Sequence, residues 1–513
     1  MNIKEKREKI SDIMAIYIVA PTEENMRILK NDVSRLNFDN FYINFIEKAE
    51  DNVFQNFFSD LLSTENYHRI YKITVHPISF FSFHSKVFSV NINNPYKLLN
   101  SANVKDEDVS KYFCQTAKGL YNVLFTLKTI PLVKYRSGWF GQAIVEKMQE
   151  MFSNTFEKFP EIKEDFPKKN STLLILLERD TDLPIMFHHA ASYGAMLNDI
   201  FGTSRVKVNN KNSNNKFEID VLADYIWNEF LSVDFPTTLE RIVKDFKNLN
   251  DQTSFLDSSS KKEDLSEISM KLNQTLEKVS ELIEKKKVLE NHINFAEKMK
   301  NEIKLRKLEE IYDFEYDLMS TRAFNNEIKR KFNKIITSSN HSQQLLSNNE
   351  FKYDIIRACL IYYLFNKDIS KEELSTLEKT LVNNFNVKTS SLEFLKQKRS
   401  FEENLRIGGG DKQAPSGLLG KMKSKTFGLF SSFQSLMTIK QPSLSADILD
   451  SLSNNKDVSN FVTYNFLKKT VEKVNPTQSF NQILVFFVGG GSLAEYEYLD
   501  QLFLKNNKNV FYK

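Results

Sequence analysis

The sequence predicts an α/β fold that carries a large helical insert. Three observations predict it. Apolar, strand-like runs occur early, at 13–20 and 41–46, again at 171–177, and then at 483–488 near the end. Residues 220–400 are helical in pattern, rich in Glu, Lys, Leu and Asn, with Pro236 as their only proline. The last apolar run stops at three glycines, 489–491, followed by a polar segment compatible with a helix. Unbroken apolar runs of six or so suit strands covered on both faces, as in parallel sheets.

In chain order, Ile-Met-Ala-Ile-Tyr-Ile-Val-Ala at 13–20 reads as a buried strand ended by Pro21. Thr22 is a good helix cap, and Glu23 and Glu24 suit a first turn. The run 41–46 is a second strand. Phe54, Phe57, Phe58, Leu61 and Leu62 fall at helical spacing, and the pattern continues through 67–73. Residues 171–177 form another buried strand, leading through Arg179, Asp180, Asp182 and Pro184 into a helix that contains His188, His189, Tyr193 and Leu197. The longest helical run is 264–319. In it Leu272, Leu276, Val279, Ile283 and Val288 approximate an apolar stripe, while Glu281, Glu284, Lys285, Lys286 and Lys287 stay polar. Such a length without a breaker predicts a projecting hairpin or a bundle. A Gly-rich linker at 406–417 follows.

Bulk properties bound the function. A chain of 513 residues implies two to four lobes. Its net charge of +4 gives no basic surface of the kind nucleic acid requires. Cys114 and Cys359 lie far apart, which excludes a disulfide framework and a CxxC site and fits a reducing compartment. The charged amino terminus lacks a signal-peptide core, and no apolar stretch reaches the roughly 18–20 residues that span a bilayer. A cytoplasmic or membrane-peripheral protein is expected.

The chemical motifs are weak. The glycines match neither GxxxxGK[ST] nor GxGxxG, and no Lys or Arg adjoins them in sequence. A strand–helix corner explains them better than a nucleotide site. Asp180, Asp182, His188 and His189 have no metal-ligand spacing, and no triad or nucleophile elbow is present. Capping and hydrogen bonding are the expected roles. No cofactor, metal or catalytic residue is expected.

Four stretches in order carry a resemblance. They are Ala15-Ile-Tyr-Ile-Val-Ala-Pro-Thr-Glu-Glu-Asn25 with Tyr42-Ile-Asn-Phe-Ile46, and Leu173 to Leu197 with Arg179, Asp182, Pro184, His188, His189 and Tyr193. The third is Leu282-Ile-Glu-Lys-Lys286 through Leu308, continued by Leu360-Ile-Tyr-Tyr363. The fourth is Phe487-Val-Gly-Gly-Gly491 with Glu495-Tyr496. The set resembles the Sec-one/Munc-eighteen (SM) family of SNARE regulators, most like its Sly-one branch, in a compact form with short termini.

The resemblance implies a three-domain arch: two α/β parallel-sheet domains and a mainly α-helical domain with a projecting helical hairpin. Domain 1 would span 1–100, domain 2 would combine 101–205 with 446–513, and domain 3 would be 206–445. It implies a monomer, cytoplasmic and peripheral on ER and Golgi membranes, that binds a syntaxin-type (Qa) SNARE and other SNAREs of that step. It would template their assembly without enzymatic chemistry.

Three sites follow from it. A pocket for a SNARE amino-terminal peptide would use Phe57, Phe58, Leu61, Leu62, Ile70 and Tyr71, unless these are core. A template hairpin at about 255–305 would use Leu272, Leu276, Val279, Leu282, Ile283, Lys286 and Leu289, unless these are bundle packing. A regulatory loop at 407–440 would act as lid or membrane contact. Within 415–440, Leu418, Met422, Leu429, Phe430, Phe433 and Leu436 form an apolar face, and no acid occurs from 412 to 440. A tethering or coat adaptor, and a nucleotide-binding α/β enzyme, are the rival readings.

Overall fold

The computed structural model describes residues 3–5, 9–10, 12–47, 49, 51–76, 78–101, 103–164, 166, 171–204, 207–209, 216–258, 265–337, 341–408, 443–473, 478–504 and 509–512. Side chains are described for fewer of them, and not for 252–258 or 265–280. The strands are β1 (Met14–Val19), β2 (Asn40–Phe45), β3 (Ile70–Val75), β4 (Phe81–His84), β5 (Val87–Ser89), β6 (Leu132–Arg136) and β7 (Thr172–Glu178). Then come β8 (Thr203–Ser204), β9 (Lys207–Asn209), β10 (Lys216–Glu218), β11 (Phe461–Asn465), β12 (Thr470–Glu472), β13 (Gln482–Val488) and β14 (Asn509–Tyr512). They form a sheet β1-β2-β3, a small sheet β10-β9-β8, and a sheet of order β12-β11-β6-β7-β13-β14-β5-β4. The chain divides into two compact units: Met1–Ser82, Phe88–Leu174 and Val462–Lys473 in one, and Phe83–Val87, Ile175–Phe461 and Val474–Lys513 in the other.

In the first unit β1, β2 and β3 are parallel, with Ile16 opposite Tyr42 and Tyr42 opposite Lys72. Helix Glu23–Ser34 starts as its sequence predicts, the Thr22 hydroxyl accepting from the Asn25 amide at 3.3 Å. It and helix Asp51–Leu62 cover one face of the sheet. There Tyr17, Val19, Phe41, Ile43 and Phe45 pack against Met26, Leu29, Val33, Phe54, Phe57 and Leu61. No element among the described residues covers the opposite face, which overturns the expectation of a fully buried first strand: Ile16 and Ile18 are 69% and 67% exposed. Beyond residue 62 the helical pattern does not continue. A 3-10 turn, Tyr67–Arg69, leads directly into β3. Elsewhere in this unit, helices Asp106–Thr126 and Phe140–Lys158 pack together. Gly119 lets the first of these approach Val90 closely, since a Cβ there would lie 2.4 Å from the Val90 Cγ1.

In the second unit β13 and β14 are parallel, β13 almost wholly buried and β14 burying Val510 and Tyr512. The helical insert supplies the pair Phe235–Ser258 and Leu265–Leu305, which pack on each other, so the hairpin begins about twenty residues earlier than expected. The second of these has 41 residues, about 60 Å at 1.5 Å per residue. The predicted run to residue 319 is broken once: Lys307 adopts a left-handed φ of 51°, and a new helix runs Leu308–Thr321. Similarly, the helix expected to include His188 and His189 begins only at Tyr193.

Candidate functional site

The glycine corner lies at the centre of a buried polar knot in the second unit. Gly489 and Gly490 have φ of 104° and 105°, a region that side chains disfavour, and they turn the chain from β13 toward helix Leu493–Leu504. Ser492-Leu-Ala-Glu495 is a capping box. The Ser492 hydroxyl accepts from the Ala494 amide at 3.2 Å, and Glu495 reaches back to the Ser492 amide at 3.0 Å. The S-x-x-E spacing is the sequence signal for this corner.

Arg179, 316 residues away in sequence, meets Glu495 as a two-pronged fork with both N···O distances 2.7 Å and both side chains 1% exposed. The guanidinium also donates to the Asp182 carbonyl at 2.5 Å and to Gly490 at 3.4 Å, and lies over the Phe487 ring. Burial opposes its charge, but Glu495 outweighs burial and raises its pKa. The Tyr512 hydroxyl donates to Glu495 at 2.7 Å. Asp182 accepts from the Ser443 hydroxyl at 2.9 Å and the Ser445 amide at 3.0 Å, fixing the start of helix Leu444–Ser453. A cation does adjoin the glycines after all, but its fork is taken up by a carboxylate and two carbonyls. The Gly490 and Ser492 amides are likewise spent, on Phe487 and on Glu495 and Tyr512. The geometry is that of a corner held shut.

A second knot anchors the helical insert. The His189 ring nitrogens face Glu315 at 2.8 Å and Asp354 at 3.0 Å, and its amide donates to Glu315 at 2.8 Å. Arg306 forks onto Asp354, and Arg357 joins Asp199 at 2.7 Å to the carbonyls of Phe187 and His188. With a carboxylate oxygen at each ring nitrogen, both must carry a proton, so His189 is an imidazolium. Burial and Arg357 oppose that charge, and Glu315 and Asp354 prevail, holding its pKa above the ordinary histidine value. Its neighbour His188 faces Glu315 only at 3.6 Å, and burial pushes it down to about 4. Tyr193, His292 and Asp224 form a third buried chain, Tyr193 to His292 at 2.6 Å and His292 to Asp224 at 2.9 Å. It ties the long helix to helices Tyr193–Phe201 and Tyr225–Phe230. These contacts bear out hydrogen-bonding roles for Asp182 and His189. No group of His, Cys, Asp or Glu suited to a metal occurs among the described residues.

The long helix is therefore fixed at its carboxyl-terminal end, packs on helix Phe235–Ser258, and exposes side chains on the turns just before the fixed end. Leu289, His292, Phe295, Met299 and Ile303 are buried at its base. Ile283 is 62% exposed, Leu282 is half-buried, and Lys285, Lys286 and Lys287 are exposed, Lys285 bonding Glu281 one turn back at 2.6 Å. Leu289 thus belongs to the core and not to a binding stripe, because the knot draws its turn against the insert's base. Leu272, Leu276 and Val279 fall outside the described side chains, and Leu418, Met422, Leu429, Phe430, Phe433 and Leu436 lie outside the described residues.

The six residues expected to line a peptide pocket divide between the core and two different surfaces. Phe57 and Leu61 are core, and Ile70 packs against it. Phe58 and Leu62 face outward on helix Asp51–Leu62. Tyr71 lies against Tyr42, ring centroids 4.9 Å apart, on the sheet face opposite that helix. Helical spacing could not reveal this division, because the chain changes from helix to strand between Leu62 and Ile70.

With this fold and these knots in place, comparison with known proteins defines the class: the chain belongs to the Sec1 family, whose model matches residues 1–513. Among individual proteins it is similar to Protein SLY1 of Saccharomyces cerevisiae, 23% identical over 567 residues, 99% of this chain and 83% of that protein. In structure it is similar to Sly1p in complex with an N-terminal peptide of Sed5p. That match has a TM-score of 0.76 and 21% identity, and covers 99% of this chain and 83% of that one. The SM protein Vps45 in complex with the Qa SNARE Tlg2 matches with a TM-score of 0.70 and 15% identity, over 99% and 85%. The SM fold expected from the sequence is the fold observed.

Removing one partner of a buried pair strands the other charge, at a cost of about 3–5 kcal/mol. Arg179→Met and Glu495→Leu should each show that loss in denaturant unfolding, and the double variant should lose clearly less than the sum. Additive losses would mean that the fork contributes little. For His189 the folded pKa lies above the unfolded value of about 6.5, so its contribution is complete below that pH and disappears as pH rises through the folded value. His188, lowered to about 4, has the opposite sign: its contribution is complete above about 6.5 and is lost as pH falls toward 4. Thermal melts should show a fall above about pH 6.5 that His189→Gln removes. The same fall in both proteins would count against the imidazolium.

Proposed function

We propose that the chain binds a syntaxin-type (Qa) SNARE and chaperones SNARE helices into a fusion bundle in transport between ER and Golgi. It would work from the cytoplasm as a peripheral protein of those membranes, without covalent chemistry. On this reading segments 1–100, 101–205 with 446–513, and 206–445 act as its three functional parts. The observation that carries it is the match of the Sec1 family to the whole chain. Sly1p is seen with an N-terminal peptide of Sed5p, and the SM protein Vps45 with the Qa SNARE Tlg2.

The geometry supplies a means. A long helix clamped at its base presents Ile283, the half-buried Leu282 and a row of lysines on the turns just before that base. Apolar positions would receive one heptad face of a SNARE helix, and the flanking charges would set its register. A rigid template lowers the entropy cost of aligning helices. In the first unit, the outward pair Phe58 and Leu62 offers the anchor point for a short amino-terminal peptide. No helix among the described residues is long and apolar enough to cross a membrane.

Isothermal titration with the cytosolic part of an ER–Golgi Qa-SNARE should give a Kd of tens of micromolar or tighter. Lys285→Glu, Lys286→Glu and Lys287→Glu together should weaken it about tenfold, with a reduced salt dependence. Phe58→Asp with Leu62→Asp should lose the amino-terminal peptide and keep the SNARE motif. A folded chain that binds neither would contradict the proposal and favour a tethering or coat-adaptor role.

A further inference from the structure

A parallel sheet is ordinarily covered on both faces, because its strands carry apolar side chains outward on each side. In the β1-β2-β3 sheet, the described residues cover one face only, through helices Glu23–Ser34 and Asp51–Leu62. The other presents Met14, Ile16 and Ile18 from β1, Tyr42 from β2, and Tyr71 beside it, 72% exposed. Isolated exposed apolar residues are commonplace, but a contiguous patch on an ordered sheet marks a surface meant to be covered. We infer that this face is the seat of a single amphipathic helix supplied by a partner protein, with its apolar stripe on Ile16, Ile18 and Tyr42 and an acidic residue beside Lys72.

Size selects the occupant. Three strands about 4.8 Å apart and six residues long offer a footprint of roughly 14 by 20 Å, or about 300 Å². That is well below the roughly 800 Å² per partner of a standard dimer interface, so a second copy of this chain would gain too little on this face alone. It matches one helix, about 10 Å across and some 13 residues long. Helix on sheet is also the layer that α/β architecture requires there. Charge sets the sign. Lys72 is the one charged residue at the outward positions of the three strands, directly opposite Tyr42, and it makes no ion pair among the described residues. A helix with a glutamate on the flank over β3 completes that pair. This seat is separate from the outward pair Phe58 and Leu62, which project from the helix on the other side of the sheet.

The test uses the full chain and four fluorescein-labelled 14-residue peptides: a helix-biased peptide with a leucine stripe and flanking glutamates, its lysine-flanked counterpart, a scramble of the first, and a proline-broken extended version. Anisotropy should rank the glutamate-flanked helix at least about tenfold above the scramble and the extended peptide, a difference of about 1.4 kcal/mol or more. Ile16→Asp with Ile18→Asp should abolish that binding while circular dichroism stays unchanged, since both side chains are already in water. Lys72→Glu should reverse the preference to the lysine-flanked peptide, and this swap decides the matter even where the aspartate pair perturbs folding. Equal binding of all four peptides, or no reversal with Lys72→Glu, would overturn the inference. So would tighter binding of the extended peptide, which signals strand addition at the sheet edge. So too would a dimer in sedimentation that the aspartate pair dissociates.

Discussion

The second unit depends on the buried fork between Arg179 and Glu495. Its halves come from segments more than three hundred residues apart, and everything between them is the helical insert and the return to the sheet. An ion pair this deep is a poor source of net stability, because both charges surrender their water. Its value is specificity. Neither charge tolerates burial alone, so the end of β7 and the corner after β13 must meet in one arrangement. Tyr512, Ser492, Asp182, Ser443 and Ser445 complete the hydrogen bonding around it, and each brings in another segment. The fork therefore sets where the chain may leave the sheet and where it must come back.

The insert is secured by the same physics one layer out. His189, held between Glu315 and Asp354, joins the segment after β7 to two insert helices, and Arg306 closes the break that ends the long helix. The Tyr193–His292–Asp224 chain fixes that helix by its lower half. A helix held so firmly at one end can expose the turns before it and still point in a defined direction. That is what a template needs, and it links the buried chemistry to the exposed lysines and Ile283.

Much of this was legible in the sequence. Strands expected at 13–20, 41–46, 171–177 and 483–488 are β1, β2, β7 and β13, because apolar runs bounded by Pro, Gly and charge leave few alternatives. The helical insert was equally plain, and the ordered set of motifs pointed to the family. Contacts between distant segments were not legible. No spacing rule places Arg179 beside Gly490, and the absence of a neighbouring cation in sequence was misleading for that reason. Apolar runs also hide sidedness: Ile16 and Ile18 read as core residues, yet only the number and placement of covering helices decides that. Lys307 breaks a helix without proline or glycine, because the Arg306–Asp354 pair outweighs the modest cost of one left-handed residue.

Two surfaces then stand out among the described residues, the exposed turn of the long helix at 283–287 and the outer face of the first unit's sheet, and on the proposed reading the first of them carries the function. Hydrogen–deuterium exchange of the full chain, with and without the cytosolic part of a Qa-SNARE, tests this most directly. The account predicts new protection at 281–288, with exchange around Arg179, His189 and Glu495 unchanged, since those groups are already closed. Protection confined to other segments, with 281–288 exchanging as in the free chain, would contradict it.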